Sequence, residues 1–521
     1  MIPAIVVFIY LAVVLYVGLF AFRKSTGSKE DFFLASRSLG PWVFLLTVFG
    51  TNMTAFAILG SSGLAYQRGI GVYGLMASSS GLIIPLTIFL IGTRLWALGK
   101  KHGYMTQVQY FRDRWECDGI GTLIFAVTAL MMIPYVVIGM MGGGHTLESL
   151  SEGFVPYWLG GAIVAIVVML YVFFGGMRGV AWVNALQTVL FLLFGAIAFY
   201  LISRNLGGYD KIIAEIAADP KQEALLNRSR ISPQEFFSYS FIPLSAMMFP
   251  HMAIMCLTAE KVTSFKRTVV WYPICILLIW LPSVFLGIVA AHQFPGLKLG
   301  ESDDVILRLL SDNTDVIVAG VLGAAIMACV MATDSQIMAL STMFSQDVFA
   351  HYGGAKKYGE TVQVWMGRAF VIVIAIVSYI LALALEGQKS IFDLAIRFGF
   401  SGFAALAPVM LAALFWRRSN KWGALAAVLW VVLCMAALWW LQVYSNDLAP
   451  KPGQAPVAIF AALGDLFLRT PMNVTIYGYM PVMFMCLGSA FWMVLVSLLT
   501  PAPTSATLDK FFPAKPKLQT S

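Results

Sequence analysis

Long apolar runs alternate with short polar segments along the whole chain. Each run exceeds the ~18 residues needed to cross a bilayer core. Thirteen spans are predicted, near 2–22, 41–63, 71–97, 120–143, 155–175, 180–203, 236–258, 268–292, 315–341, 364–385, 391–416, 421–443 and 477–499. The ten-residue alternation of a membrane β-barrel is absent, so the predicted class is an all-α polytopic membrane protein. The first run begins at Ile2 with neither a basic segment nor a small-residue cleavage site, and reads as a retained span. We expect a single transmembrane domain over 1–500, with its core at 41–416, and a short tail at 501–521.

Two spans are interrupted at mid-depth. Span 2 reads "TVFGTNMTAFAILGSSG" (47–63), with Gly50, Thr51, Asn52 and Thr54 where a lipid-facing helix carries leucine or valine. Span 7 reads "SAMMFPHMAIMC" (245–256), with Pro250 and then His251. Proline removes a helical hydrogen bond, and backbone groups freed at that depth must find protein, ion or water partners. Paired interruptions in corresponding positions of two halves point to a transporter site. Spans 2 and 7 are five apart, so spans 2–6 and 7–11 form two five-helix repeats. An odd number of spans per repeat makes the second enter from the opposite side, an inverted topology. A proline kink and a small-residue seam are the plainer alternative.

Composition agrees with the pattern: 60% of the 521 residues are hydrophobic and 12% charged, against about 25% charged in soluble domains. Basic residues cluster after odd-numbered spans, as in Lys100, Lys101, Arg112 and Arg114, or Arg417, Arg418 and Lys421, and in tail lysines 510, 515 and 517. The opposite segments are sparser and often acidic, as in "GESDDVILRLLSDNTD" (300–315). That asymmetry predicts an N-terminus outside and a cytoplasmic tail in the cell membrane. It accounts for the net charge of +8 without nucleic acid. None of the six cysteines falls in a predicted outer loop, and the five histidines lack metal-ligand spacing. No phosphate loop or nucleophile motif is present, and an enzyme is not expected.

Five ordered stretches resemble the sodium/solute symporter family, which includes proline, pantothenate, galactose and sialic acid symporters. They are "SKEDFFLASRSLGPW" (28–42), "GGMRGVAWVNALQTVLFL" (175–192), "FPHMAIMCLTAEKVTSFKRT" (249–268), "MATDSQIMALSTMFSQDVF" (331–349) and "APVMLAALFWRRSNKWGALAA" (407–427). The resemblance covers roughly residues 5–440. It implies a LeuT-type core, alternating access, and a small solute carried with Na⁺. It also implies a cation site at Gly50, Met53, Ala328, Met331 and Ala332. The first three offer carbonyls. Met331 and Ala332 stand where the family has hydroxyl ligands, and Na⁺ prefers oxygen to a thioether. In span 6, Val183–Asn184 replaces the family's Thr-Asp, so an acceptor oxygen remains and a charge is lost.

Three roles are open to Asp334 in "MATDSQ". It can be the charged ligand of a displaced cation site with Ser335, Thr333 and Asn184, a proton carrier, or a structural group at the inner mouth of span 9. Arg397 lies four residues after Asp393, on one helical face. It is either half of a rim ion pair or a clamp for a solute carboxylate. In the second reading Thr51, Asn52, Thr54, Phe249 and His251 line the same cavity, for a small anion or zwitterion such as a carboxylate, an amino acid or a sugar acid. The expected function is cation-coupled secondary transport. A proton-coupled or uncoupled facilitator, and a transporter-fold sensor, are the alternatives.

Overall fold

The computed structural model describes residues 2–298, 301–387, 391–451 and 454–513. Lys515 and Lys517 of the tail therefore lie outside the described residues. Within them, ten helices are long and apolar enough to cross a membrane, or twelve if each of two bent pairs is one span. The expected thirteen is reached only by dividing the helix Tyr157–Asn205. Its 49 residues would extend about 74 Å, more than twice a hydrocarbon core. The run is interrupted at Gly176, with φ 53° and ψ −151°. Only glycine adopts that backbone freely, and a Cβ there would lie 2.6 Å from the Phe32 carbonyl oxygen.

The short helix Lys29–Leu34 explains that close approach. Ser28 caps it by accepting the Asp31 N–H, and Arg178, two residues past the interruption, donates to Asp31 Oδ1 at 2.6 Å. The acidic-aromatic stretch after span 1 thus ties down the turn between spans 5 and 6.

The two bent pairs are the interrupted spans 2 and 7. Pro41–Asn52 and Phe56–Arg68 meet at 59°, and Pro233–Met247 and Pro250–Thr258 at 49°. Proline opens the second helix of span 7 at its first turn, where its missing N–H costs nothing. Burial separates centre from edge. In its most apolar stretch, the span-9 helix Val316–Ala350 is 78% buried, whereas the span-12 helix Lys421–Tyr444 is 28% buried and turns its other residues outward. All nine residues of Pro250–Thr258 and the end of Pro41–Asn52 from Thr47 onward are buried too, so both broken spans and span 9 sit at the middle of the molecule.

Between spans 12 and 13 lies a three-stranded antiparallel sheet: β1 (Val457–Ala458), β2 (Phe467–Arg469) and β3 (Val474–Ile476). Val457 pairs with Arg469, and Leu468 with Thr475. At the opposite face, the helix Gln107–Trp115 packs under the helices, and the tail folds back as Ser505–Phe511 against it. Lys510 pairs with Asp113, and Phe511 is buried between His102 and Tyr110.

Candidate functional site

At the break in span 2 the chain leaves the helix at Met53 (φ −105°, ψ 93°). A small cavity of about 30 Å³ opens beside it, lined by Asn52, Met53, Phe56, Phe249, Trp280 and Phe400 among others. Its walls are aromatic. Phe249, the last residue before the span-7 helix, stacks on Tyr135 with centroids 5.5 Å apart and packs on Phe400 at 5.5 Å and His251 at 4.8 Å. The break itself is held by hydrogen bonds. Tyr135 Oη donates to the Asn52 carbonyl (3.1 Å), and Asn52 Nδ2 donates to Tyr272 Oη (2.8 Å). Tyr135 and Tyr272 sit in spans 4 and 8, where an isolated tyrosine in an apolar run was the only available signal.

His251 is 1% exposed, and neither ring nitrogen has a hydrogen-bond partner among the described residues. The Trp280 indole N–H is likewise buried and without a partner there. Two polar groups without partners beside an aromatic cavity suit a polar ligand, since leaving them unmet on burial is costly.

One turn deeper, span 9 meets spans 2, 5 and 6 around Asp334. The carboxylate is fully buried. Asn184 Nδ2 donates to Oδ1 at 2.8 Å, Tyr171 Oη to Oδ2 at 2.9 Å, and Ser335 Oγ to Oδ1 at 3.1 Å. With Ser335 donating to the carboxylate, Thr51 is the donor in the 2.7 Å contact between the two hydroxyls. Gln336 Nε2 donates to the Thr51 carbonyl (2.9 Å), closing a two-point clasp between the broken span and span 9. Every hydrogen-bond partner of Asp334 is neutral. Asn184 Oδ1 has no partner among the described residues and faces Gly50, 3.5 Å from where a Cβ would stand.

The cation position implied by resemblance is constituted differently. Met331 and Ala332 are fully buried and bring no side-chain oxygen. The Gly50 carbonyl accepts the Met53 N–H at 3.1 Å. The carbonyls of Met53 and Thr54 face the Cys329 thiol, which donates at 3.5 and 3.0 Å. Ala328 lies one turn before, in the span-9 helix. The structure thus brings Gly50, Thr51, Asn184, Asp334 and Ser335 together, and places Asn52, Phe249 and His251 around the cavity above them. Thr54 lies between the two, buried, with its carbonyl toward Cys329.

Arg397 is directed elsewhere. Its Nε donates to Asp393 Oδ1 at 2.9 Å, and its Nη2 bonds both Asp393 and the Met472 carbonyl. It thereby joins the start of span 11 to the segment carrying the sheet. It lines a separate pocket of about 40 Å³ with Gln442 and Asn473. The geometry is that of the rim ion pair.

Two centrally broken helices, crossing beside a buried acid and an aromatic cavity, define a membrane transporter. The model of the Sodium:solute symporter family matches residues 32–430, and the chain belongs to that family. It is 26% identical over 518 residues to a high-affinity proline transporter of Bacillus subtilis (strain 168), covering 95% of this chain and 98% of the relative. It is 26% identical over 492 residues to the sodium/proline symporter of Escherichia coli (strain K12), covering 89% and 93%. In fold it matches the substrate-bound, outward-open state of a Na⁺-coupled sialic acid symporter. The TM-score is 0.75 over 97% of this chain and 99% of that one, at 16% identity. The architecture is accordingly LeuT-type, with spans 2–6 and 7–11 as its inverted halves. The protein is a transporter and not an enzyme.

Proposed function

We propose that the protein is a cation-coupled symporter of the cell membrane, carrying a small zwitterionic solute by alternating access. The observation that carries this reading is Asp334: a fully buried carboxylate with only neutral partners, held between the broken span and span 9. An uncompensated charge at that depth is costly. A cation bound there balances it, and Thr51, Ser335 and the open Asn184 oxygen supply further ligands. Because Thr51 and Asn52 are adjacent, ion binding at Asp334 and solute binding in the cavity act on the same break.

The cavity favours a zwitterion over an anion. The residues that line it carry no formal charge, and Arg397 is committed to Asp393 and Met472. A solute with its own internal charge balance is cheaper to bury there than a net anion. Proline, transported by two of the relatives, has this chemistry. A proton is the second reading for the coupling ion, favoured because Met331 and Ala332 leave the family's usual cation position without hydroxyls. The N-terminus outside and the tail inside complete the proposal, resting on the distribution of basic residues.

The test is uptake of labelled proline and a panel of amino acids and carboxylates into proteoliposomes under imposed Na⁺, Li⁺ or H⁺ gradients, repeated with Asp334→Asn. Gradient-driven uptake is expected in the unmodified protein, with accumulation lost in the variant. Equal accumulation by the Asn variant would show that the charge of Asp334 is not used.

A further inference from the structure

The helix Gln107–Trp115, in the connection between spans 3 and 4, takes no part in the solute cavity or the Asp334 cluster, yet it touches the end of span 9, the break of span 7 and the end of span 11. Thr106 is its N-cap, accepting the Gln109 N–H, and the same hydroxyl donates to Asp347 Oδ1 at 2.9 Å. Asp347 lies near the end of span 9. The next side chain, Gln107, donates from Nε2 to the Met248 carbonyl at 2.9 Å, in the break of span 7 and adjacent to Phe249 of the cavity. One turn on, Arg112 donates to the Asp347 carbonyl at 2.9 Å. Tyr110 Oη and Arg114 Nε both donate to the Ala413 carbonyl at the end of span 11, at 2.6 and 3.1 Å.

Two further features bear on what this helix does. From behind, the tail helix braces it: Lys510 pairs with Asp113, Thr504 donates to Glu116 Oε1 at 2.8 Å, and Phe512 lies under the Arg114 guanidinium at 5.1 Å. In front, the network is half satisfied. Asp347 Oδ2, Arg112 Nε, Gln107 Oε1 and Gln346 Nε2 are buried without partners among the described residues. A partly satisfied buried network is expensive. Water reaching these atoms would reward separation, so closure depends on the contacts that Thr106 and Gln107 make, together with Arg112, whose Nη1 also pairs with Asp347 Oδ1 at 3.7 Å.

We propose that Thr106 and Gln107 are positioning residues forming an inner latch, which holds the break of span 7 and the end of span 9 together and must release for the solute to leave on the side of the tail helix. The contact at Met248 places the latch one residue from the cavity wall, so a change of solute occupancy at Phe249 reaches Asp347 through a single dipeptide. The tail helix sets how firmly the latch is held. This inference rests on the transport reading, and its test is independent of which solute is carried.

Cys329 is a native reporter, because its thiol is fully buried against the Thr54 carbonyl at the junction of spans 2 and 9. Inside-out vesicles are treated with a membrane-impermeant maleimide, and labelling of each cysteine is followed by peptide mass spectrometry. Removing one latch hydrogen bond, in Thr106→Val or Gln107→Ala, is expected to raise the Cys329 labelling rate about fivefold. The same variants should raise the KM for solute offered from outside while maximal exchange is kept. Thr106→Ser, which retains the hydroxyl, should label as the unmodified protein does, and Lys510→Glu should fall between. Unchanged Cys329 labelling in folded, exchange-competent Thr106→Val and Gln107→Ala would overturn the latch and leave the transport reading intact. Equal labelling in the Ser and Val variants would also overturn it, by reducing Thr106 to a packing role. Failure of any solute to move in the unmodified protein would instead strike the transport reading.

Discussion

Around Asp334 the chemistry is decided by single atoms. Met331 and Ala332 stand where the resemblance implies hydroxyl ligands of a cation, and the Cys329 thiol donates to the Met53 and Thr54 carbonyls nearby. Installing the oxygens by the double substitution Met331→Ser and Ala332→Ser is expected to lower the Na⁺ concentration giving half-maximal uptake. A Na⁺ titration unchanged by the pair would mean that this position has no part in ion coupling. Gly50 shows the same dependence on small detail. A Cβ there would stand 2.3 Å from Thr188 Oγ1 and 3.2 Å from the Asn184 carbonyl. Gly50→Ala must push span 6 away from the break, at a cost of about 1–3 kcal/mol. Reduced thermal stability in detergent together with weaker ion activation is the expected outcome. Asp334 could be named from the sequence because a carboxylate in an apolar run stands out, whereas Asn184 and Ser335 were reached through the family resemblance. Tyr171 could not, since nothing local distinguishes it from a packing residue, and Gln336, visible in "MATDSQ", gave no sign of its partner, the Thr51 carbonyl.

The elements carry their own electrostatics outside the membrane. Burial alone would raise the Asp31 pKa, but hydrogen bonds from Arg178, Ser25, the Thr26 N–H and Ser36 hold it below the ordinary carboxylate range. A depressed acid pKa stabilises the fold above the unfolded value, and that contribution fades as pH falls through the folded one. Asp31→Asn should therefore melt lower than the unmodified protein at pH 6, with the gap closing only below about pH 4. Asp303 is the opposite case. Burial raises its pKa well above the usual range; the Ile391 N–H counters this, and Asp304 and Asp393 add to the rise. A raised acid pKa favours the fold at low pH and penalises it as pH climbs through the folded value. Asp303→Asn can still accept the 2.7 Å bond from Ile391 at the start of span 11. It should raise the melting temperature at neutral pH and leave it unchanged in acid. A fall at neutral pH would mean that the carboxylate charge is used there. Both breaks were legible because proline and a run of small polar residues are local signals. The interruption at Gly176 was legible only as a gap between two apolar runs, because the Phe32 carbonyl that requires glycine comes from a segment some 140 residues away.

For the whole molecule, the distribution of basic residues sets the expected sidedness. Cys117, half-buried next to the helix Gln107–Trp115, should react with an impermeant thiol reagent in inside-out vesicles and not in right-side-out ones. The reverse pattern would invert the proposed topology. The tail, expected only as a short cytoplasmic extension, forms a helix that packs on that same face. Its amphipathic side has no meaning until Tyr110, Asp113 and Arg114 are brought beneath it.

The sequence by itself determined the medium, the two breaks and the family resemblance, because apolar run length, proline and dense ordered motifs are properties of neighbouring residues. It left several alternatives open for Asp334 and two for Arg397. The tertiary structure decided what each group faces. It turned Arg397 toward Asp393 and Met472, gave Asp334 only neutral partners, placed a thiol on the span-2 carbonyls, and assembled a latch from spans 7 and 9 and the helix Gln107–Trp115. Charges, hydroxyls and carbonyls act over a few ångströms, and residues that meet at that range here stand up to nearly 400 positions apart in the chain.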